Sequence, residues 1–300
     1  QTCALPIYVG EINNRGLEIA LSTKNILKED FRWTTDFNIA FNKNEVVSLV
    51  NDADLFFDAT PSYFSHDRSY VLRVGEEVGL FWGYEYAGVY QGGTVPAGTQ
   101  TLSGGVAGDP LFADIDGSGD ITEADRTTIG NPNPDFTWGF TNNFNYKNLD
   151  LSIFFQGSQG GDIFNLTNVQ LTNGDANTTS AYYNSAWTPT NTDTNAPRVG
   201  NNSNREISSR FVEDGSYIRL KNISLGYTVP ANITEKLGLD NLRLSLSAQN
   251  LLTITDYSGL DPEVSYYGSG GNNNTSANTA QGFDFGNYPT VRTVTMSLNR

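Results

Sequence analysis

Period-two alternation of apolar and polar residues is the feature that most constrains this chain. "FRWTTDFNIAFN" (31–42) sets Phe37, Ile39 and Phe41 against Asn38, Ala40 and Asn42. "FTWGFTNNFNY" (136–146) places Phe136, Trp138, Phe140, Phe144 and Tyr146 on one side, with Thr137, Gly139, Thr141, Asn143 and Asn145 on the other. Side chains of a β-strand alternate between faces, so each segment reads as a strand with one apolar and one polar face. The pattern returns in "GLEIALSTKNI" (16–26), "LDLSIFFQ" (149–156), "SYIRLKNISLGYTVP" (216–230), "LRLSLSAQN" (242–250) and "VRTVTMSLN" (291–299). This makes about seven strands, each near the length that crosses a bilayer as part of a barrel.

The connections carry a second regularity. Those at 27–30 and 147–148 are tight and 230–241 is moderate, whereas 43–135, 157–215 and 251–290 are long and rich in Gly, Asn and Thr. Short and long links alternate strictly. An outer-membrane barrel has short periplasmic turns and long extracellular loops. A soluble Greek-key sandwich also has alternating strands, but nothing in it sorts loop lengths by parity. Trp33, Trp138 and Tyr227 near strand ends suit interfacial aromatic girdles. The expectation is an all-β fold: a partial antiparallel transmembrane β-barrel with long extracellular loops, its last strand running inward.

Composition narrows the function. Net charge is −15, which disfavours a nucleic-acid partner because phosphate binding needs a basic surface. No apolar run reaches the length of a membrane helix, a test that barrel strands escape. Cys3 is the only cysteine, so no intrachain disulfide forms. Its setting, "QTCALPI", reverse-translates to the end of a common sequencing-library adapter. Residues 1–7 are therefore expected to be an assembly artefact and stand outside the fold reasoning.

"DIDGSGDITEAD" (114–125) has the spacing of a calcium loop. Calcium takes six to eight oxygens, presented at positions 1, 3, 5, 7, 9 and 12 of an EF-type loop. Those positions are Asp114, Asp116, Ser118, the Asp120 backbone carbonyl, Thr122 and Asp125. Gly119 falls at the sharp turn. The flanks are not helix formers, so nothing can splay open as in a sensor. The loop is expected outside the cell, as a calcium staple or as a solvated acidic turn.

Aromatic residues crowd three loop stretches, "GLFWGYEYAGVYQ" (79–91), "AYYNSAW" (181–187) and "YYGSGG" (266–271). They can pack the loops together or meet a substrate or partner. No catalytic residues are assigned. His66 is the only His, without a Gly-x-Ser-x-Gly elbow, and reads as a surface loop residue. No Cys or His cluster suggests zinc.

Several stretches resemble the SusC/RagA family of TonB-dependent outer-membrane transporters. They are "VGEINNRGLEI" (9–19), "WTTDFNIAFNKNEVVSL" (33–49), "IGNPNPDFTWGF" (129–140), "YKNLDLSIFFQGSQGGDIFN" (146–165), "RFVEDGSYIRLKNISLGYTVP" (210–230) and "AQNLLTITDYSGLDPEV" (248–264). The resemblance runs in order over nearly the whole chain after residue 8. It implies a plugged barrel of about 22 strands in the outer membrane of Bacteroidetes-type bacteria. It further implies import of oligosaccharides or peptides, with a SusD-like surface lipoprotein as partner and the TonB complex as energy source. The chain would be the C-terminal third or so of such a barrel, without plug or TonB-contacting segment. Family members usually end on an aromatic residue; this chain stops at "SLNR", which implies that a few residues are missing. Two rival classes remain at this point: a soluble glycan-binding β-sandwich stiffened by calcium, and a β-rich glycoside hydrolase with two loop carboxylates.

Overall fold

The computed structural model describes residues 10–60, 68–102, 104–172, 177–200, 205–264 and 281–299. Residues 1–7, His66 and the 266–271 aromatic stretch lie outside the described residues.

The alternating segments form one antiparallel 7-stranded sheet in simple sequence order. Its strands are β1 (Gly10–Leu27), β2 (Phe31–Leu49), β3 (Phe136–Tyr146), β4 (Leu149–Gln159), β5 (Tyr217–Thr228), β6 (Arg243–Thr255) and β7 (Thr293–Asn299). Each strand pairs only with its sequence neighbours in this sheet, as the staves of an up-and-down barrel do. β1 and β2 run longer than the apolar alternation indicated, because their pairing continues through polar partners such as Asn13↔Glu45 and Asn14↔Asn44.

Register aligns like residues across the whole sheet. Ile26, Trp33, Phe144, Leu151, Leu225, Leu246 and Met296 form one continuous cross-strand row. Leu21, Phe37, Phe140, Phe155, Leu220 and Leu252 form another on the same face. The opposite face carries the row Thr34, Asn143, Ser152, Ser224, Ser247 and Thr295. The apolar face is uncovered: Leu21 is 56% exposed, Leu246 49% and Met296 77%. In water such a face would demand a second sheet packed on it. Against lipid it is already buried. β3 has 11 residues; at about 3.4 Å rise and about 45° tilt they give a height of about 25 Å, the thickness of a barrel's apolar band.

One patch departs from the alternation. Asn142 shares the apolar face, where Thr23 and Thr35 lie in its row. Its Oδ1 accepts from Trp33 Nε1 at 2.9 Å and from Thr35 Oγ1 at 2.7 Å. Asn25 Nδ2 donates to Thr35 Oγ1 at 2.7 Å. The polar groups satisfy one another, which is what makes polar side chains tolerable against hydrocarbon.

The ends of the sheet differ as the link lengths require. At one end the β1–β2 and β3–β4 links are turns; Lys147 takes a left-handed conformation (φ 50°) in the second. A short helix (Ala231–Thr234) follows Pro230 in the β5–β6 link. Exposed Tyr146 and Tyr227 flank this end beside Leu149 and Leu244, as an interfacial girdle would.

At the other end the long links build a folded module. Within the β2–β3 link, Leu55–Phe57, Tyr70–Leu72, Leu80–Tyr84 and Arg126–Gly130 form a 4-stranded sheet, and Tyr86–Val89, Pro110–Ala113 and Thr99–Thr101 form a 3-stranded one. Asp162–Asn165, Val212–Asp214 and Phe283–Asp284 join all the later links in a third sheet. Tyr70, Phe81, Phe164, Leu166, Ile207, Phe211 and Phe283 share one core. Because this core draws on every long connection, the loops hold one another in place.

Candidate functional site

The acidic loop sits between the strand Pro110–Ala113 and the 3₁₀ turn Glu123–Asp125 that leads into Arg126–Gly130. It has no flanking helices. Gly117 (φ 71°) and Gly119 (φ 88°) occupy the left-handed region, which glycine adopts without a Cβ penalty. These reversals fold the loop back on itself. Gly119 N–H donates to Asp114 Oδ2 at 2.9 Å, and Ser118 N–H to Asp116 Oδ1 at 2.9 Å.

Asp125 anchors the other side and is fully buried. Its Oδ1 accepts from the N–H groups of Ile115 (2.8 Å) and Asp116 (3.2 Å), and its Oδ2 from Thr122 N–H at 2.7 Å. With Thr122 it completes a capping box.

Carboxylate oxygens of Asp114, Asp116 and Asp125 all lie within 4.8 Å of one another. Of the six residues expected at ligand positions, these three are therefore brought together. Ser118 and Asp120 adjoin each other instead, the Ser118 hydroxyl donating to the Asp120 carbonyl at 3.0 Å. The Thr122 hydroxyl is engaged with Ala124 N–H and Asp125. Asp114 Oδ1 is shielded from solvent and has no hydrogen-bond partner among the described residues. Hydrogen bonds from Ser118 hold the Asp116 carboxyl below its ordinary range. Hard anionic oxygens at this separation suit calcium.

The two described aromatic stretches, 79–91 and 181–187, chiefly pack the module. Phe81, Trp82, Tyr84 and Tyr182 are buried, whereas Tyr183 stays 67% exposed. Phe81 meets Phe164 and Phe283 edge-on, at 5.7 and 4.9 Å between centroids. Burial pushes the Tyr86 phenol up to about 12. Arg210 lies over the Tyr86, Tyr182 and Phe211 rings.

A second charged centre went unassigned from sequence. Arg219, on the polar face of β5, is only 1% exposed. Its guanidinium pairs with Asp261 at 2.5 Å and with Glu263, and donates to Thr290 Oγ1 at 2.6 Å. Glu263 also accepts from Tyr217 O–H at 2.9 Å and pairs with Lys221 at 3.1 Å. Residues 261–263 and 290, on the two limbs of the β6–β7 connection, are thus tied to the inner wall. The available signal was an Arg at polar-face parity in "SYIRLKN" followed by the acid pair of "LDPEV".

No family model matches the chain. TonB-dependent receptor P3 of Formosa agariphila is 51% identical over 292 residues, covering 97% of this chain and 29% of the receptor. TonB-dependent receptor P26 of the same bacterium is 35% identical, again with 97% of this chain and 29% of the receptor covered. TonB-dependent receptor SusC of Bacteroides thetaiotaomicron is 28% identical over 85% of this chain and 24% of its own length. The chain spans less than a third of each of these relatives. Among solved structures, the RagAB peptide importer in its closed-closed state superposes with a TM-score of 0.72 over 97% of this chain and 29% of that chain. At 23% identity that likeness bears on the fold, and the fold it shares is the strand meander with packed loops. Together with the two-faced sheet, the sequence relatives lead to one conclusion: over nearly its whole length the chain is similar to a stretch of TonB-dependent receptors, SusC among them.

Proposed function

We propose that this chain forms part of the wall and extracellular loops of an outer-membrane importer of oligosaccharides or peptides. In this reading TonB supplies the energy through the rest of the receptor, and a SusD-like lipoprotein covers the loop module. The observation that carries it is the two-faced sheet: uncovered rows such as Leu151, Leu225, Leu246 and Met296 on one side, and Asn143, Ser152, Ser224 and Ser247 on the other. The first meets lipid and the second a wet lumen. No bond-making step is assigned to any residue. The loop module, fixed by its own core, gives a lipoprotein a preformed surface.

We also propose that Asp114, Asp116 and Asp125 hold a calcium ion, with Ser118, the Asp120 carbonyl and Thr122 as the remaining oxygens. The ion would supply the positive charge that three clustered carboxylates lack and would stiffen the loop. The unpartnered Asp114 Oδ1 supports this.

Fractionation and uptake test the import reading. The receptor carrying this stretch is expected in detergent-extracted outer membrane, and its deletion is expected to abolish growth on the imported nutrient. Recovery of the receptor as a soluble periplasmic or secreted protein would overturn the reading.

A further inference from the structure

Positive charge is sorted between the two faces of the seven-stranded sheet. Lys24, Arg32, Arg219 and Arg243 lie on the polar face, in register with Thr34, Asn145, Gln156 and Thr228. Lys221 is turned inward to Glu263. The two basic residues left in the strands, Arg15 and Lys43, are the only ones on the apolar face. They are direct cross-strand partners. The row beneath them joins Leu17 to Phe41, whose ring meets Phe136 at the start of β3. Arg15 and Lys43 therefore stand one row beyond the apolar band, at the long-link end, where lipid headgroups begin.

Like charges directly opposite each other across a strand pair repel. Both residues are exposed, and neither has a hydrogen-bond or ion-pair partner among the described residues. A hollow of about 300 Å³ runs between them and the apolar row, lined by Arg15, Leu17, Phe41, Lys43 and Asp135 among others. Asp135, the one carboxylate lining it, lies against Gly160 just past β4 and pairs with neither cation. Glu45, one row further out and opposite Asn13, pairs with neither cation as well.

We propose that Arg15 and Lys43 hold the phosphate headgroup of an anionic lipid of the outer leaflet, with an acyl chain along Leu17 and Phe41. This inference rests on the reading of the chain as an outer-membrane wall. A guanidinium fork takes two phosphate oxygens and the ammonium adds a compact charge beside it. A phosphate between the two cations turns their repulsion into attraction. Their aliphatic stems lie over the apolar row while the heads stay at headgroup height. The apolar floor selects a lipid over a soluble phosphate: Leu17 is 58% and Phe41 39% exposed, and an acyl chain covers both.

The test uses the receptor carrying this stretch, purified from outer membrane and delipidated in detergent. Bisphosphorylated lipid A is titrated in, and bound lipid is counted by native mass spectrometry. An Arg15→Gln/Lys43→Gln double variant is expected to weaken binding about thirtyfold, about fivefold for each basic residue and compounding. Lipid A stripped of its phosphates should bind wild type as weakly as the variant binds intact lipid A. A Lys24→Gln/Arg32→Gln variant removes the same charge from the polar face and should bind as wild type does. Three results would overturn the proposal: binding unchanged in the Arg15/Lys43 variant, whether or not its oligomeric state shifts; an equal loss in the Lys24/Arg32 variant; or full displacement of the lipid by millimolar inorganic phosphate. Each leaves import intact if the wild-type receptor still supports growth from the outer membrane. Absence of the receptor from that membrane would instead remove the import reading itself.

Discussion

Three carboxylates within 4.8 Å of one another repel, and backbone N–H groups offset that repulsion only in part. A cation at the cluster adds stability through mass action, about 2.7 kcal/mol at a hundredfold excess over Kd. Calcium at millimolar level is therefore expected to raise the melting temperature of the receptor by calorimetry, and Asp114→Ala to abolish that rise. An identical scan with and without calcium would refute the ion. The sequence made the Asp114–Asp116–Asp125 grouping legible because loop position alone fixes which carboxylates converge. It did not reveal the hydrogen bonds that draw Ser118 and Thr122 into local roles, since a hydroxyl can serve either.

For Arg219 only the polar-face parity was legible; its partners lie more than 40 positions away, beyond the reach of a local pattern. Arg219→Ala would leave Asp261 and Glu263 without their counter-ion, a loss of about 3–5 kcal/mol for a buried pair. Burial pushes the Asp261 carboxyl up, but hydrogen bonds from Thr290, Glu263 and Arg219 outweigh it and the net shift is downward. A depressed folded pKa means its stabilisation is complete above the ordinary carboxylate value of about 3.9 and disappears as pH falls through the lower folded value. Hydrogen-exchange protection of residues 256–263, taken relative to the intrinsic rate at each pH, should therefore be high at pH 6 and fall only below about pH 4. Protection already lost at pH 6 would show that the tie does not hold the segment.

Elements were readable where they exceed the period that reveals them. The seven long strands show alternation over about six residues or more, and all of them pair as expected. The strands of three to five residues in the long links, such as Tyr70–Leu72 and Thr99–Thr101, are too short to display a period. In sequence those links read as long loops rich in Gly, Asn and Thr, whose aromatics could pack them together. Their order comes from the shared aromatic core, which only tertiary structure assembles. Within β5, adjacent residues should respond oppositely to the same charge. Ile223→Arg places a guanidinium toward lipid near the middle of the band and is expected to cost about 2–4 kcal/mol. Ser224→Arg faces the lumen and should change stability little. Urea unfolding of the two variants in lipid vesicles measures the difference, and equal losses would contradict the assigned faces.

At the scale of the whole molecule, sheet and module have different solvents. The sheet turns apolar rows outward and polar rows inward, while the loop module buries apolar residues as a water-soluble domain does. A single chain carries both patterns because the short and long links alternate. That parity, the exposure of Leu246 and Met296, and the kinship with TonB-dependent receptors agree on one arrangement.

Site-directed spin labelling along residues 217–228 of the receptor in nanodiscs tests the central claim most directly. Collision with oxygen, which concentrates in lipid, should peak at Ile223, Leu225 and Tyr227. Collision with a water-soluble nickel chelate should peak at Asn222, Ser224 and Gly226. Accessibility that does not alternate, or that is aqueous on both faces, would contradict a membrane-spanning wall.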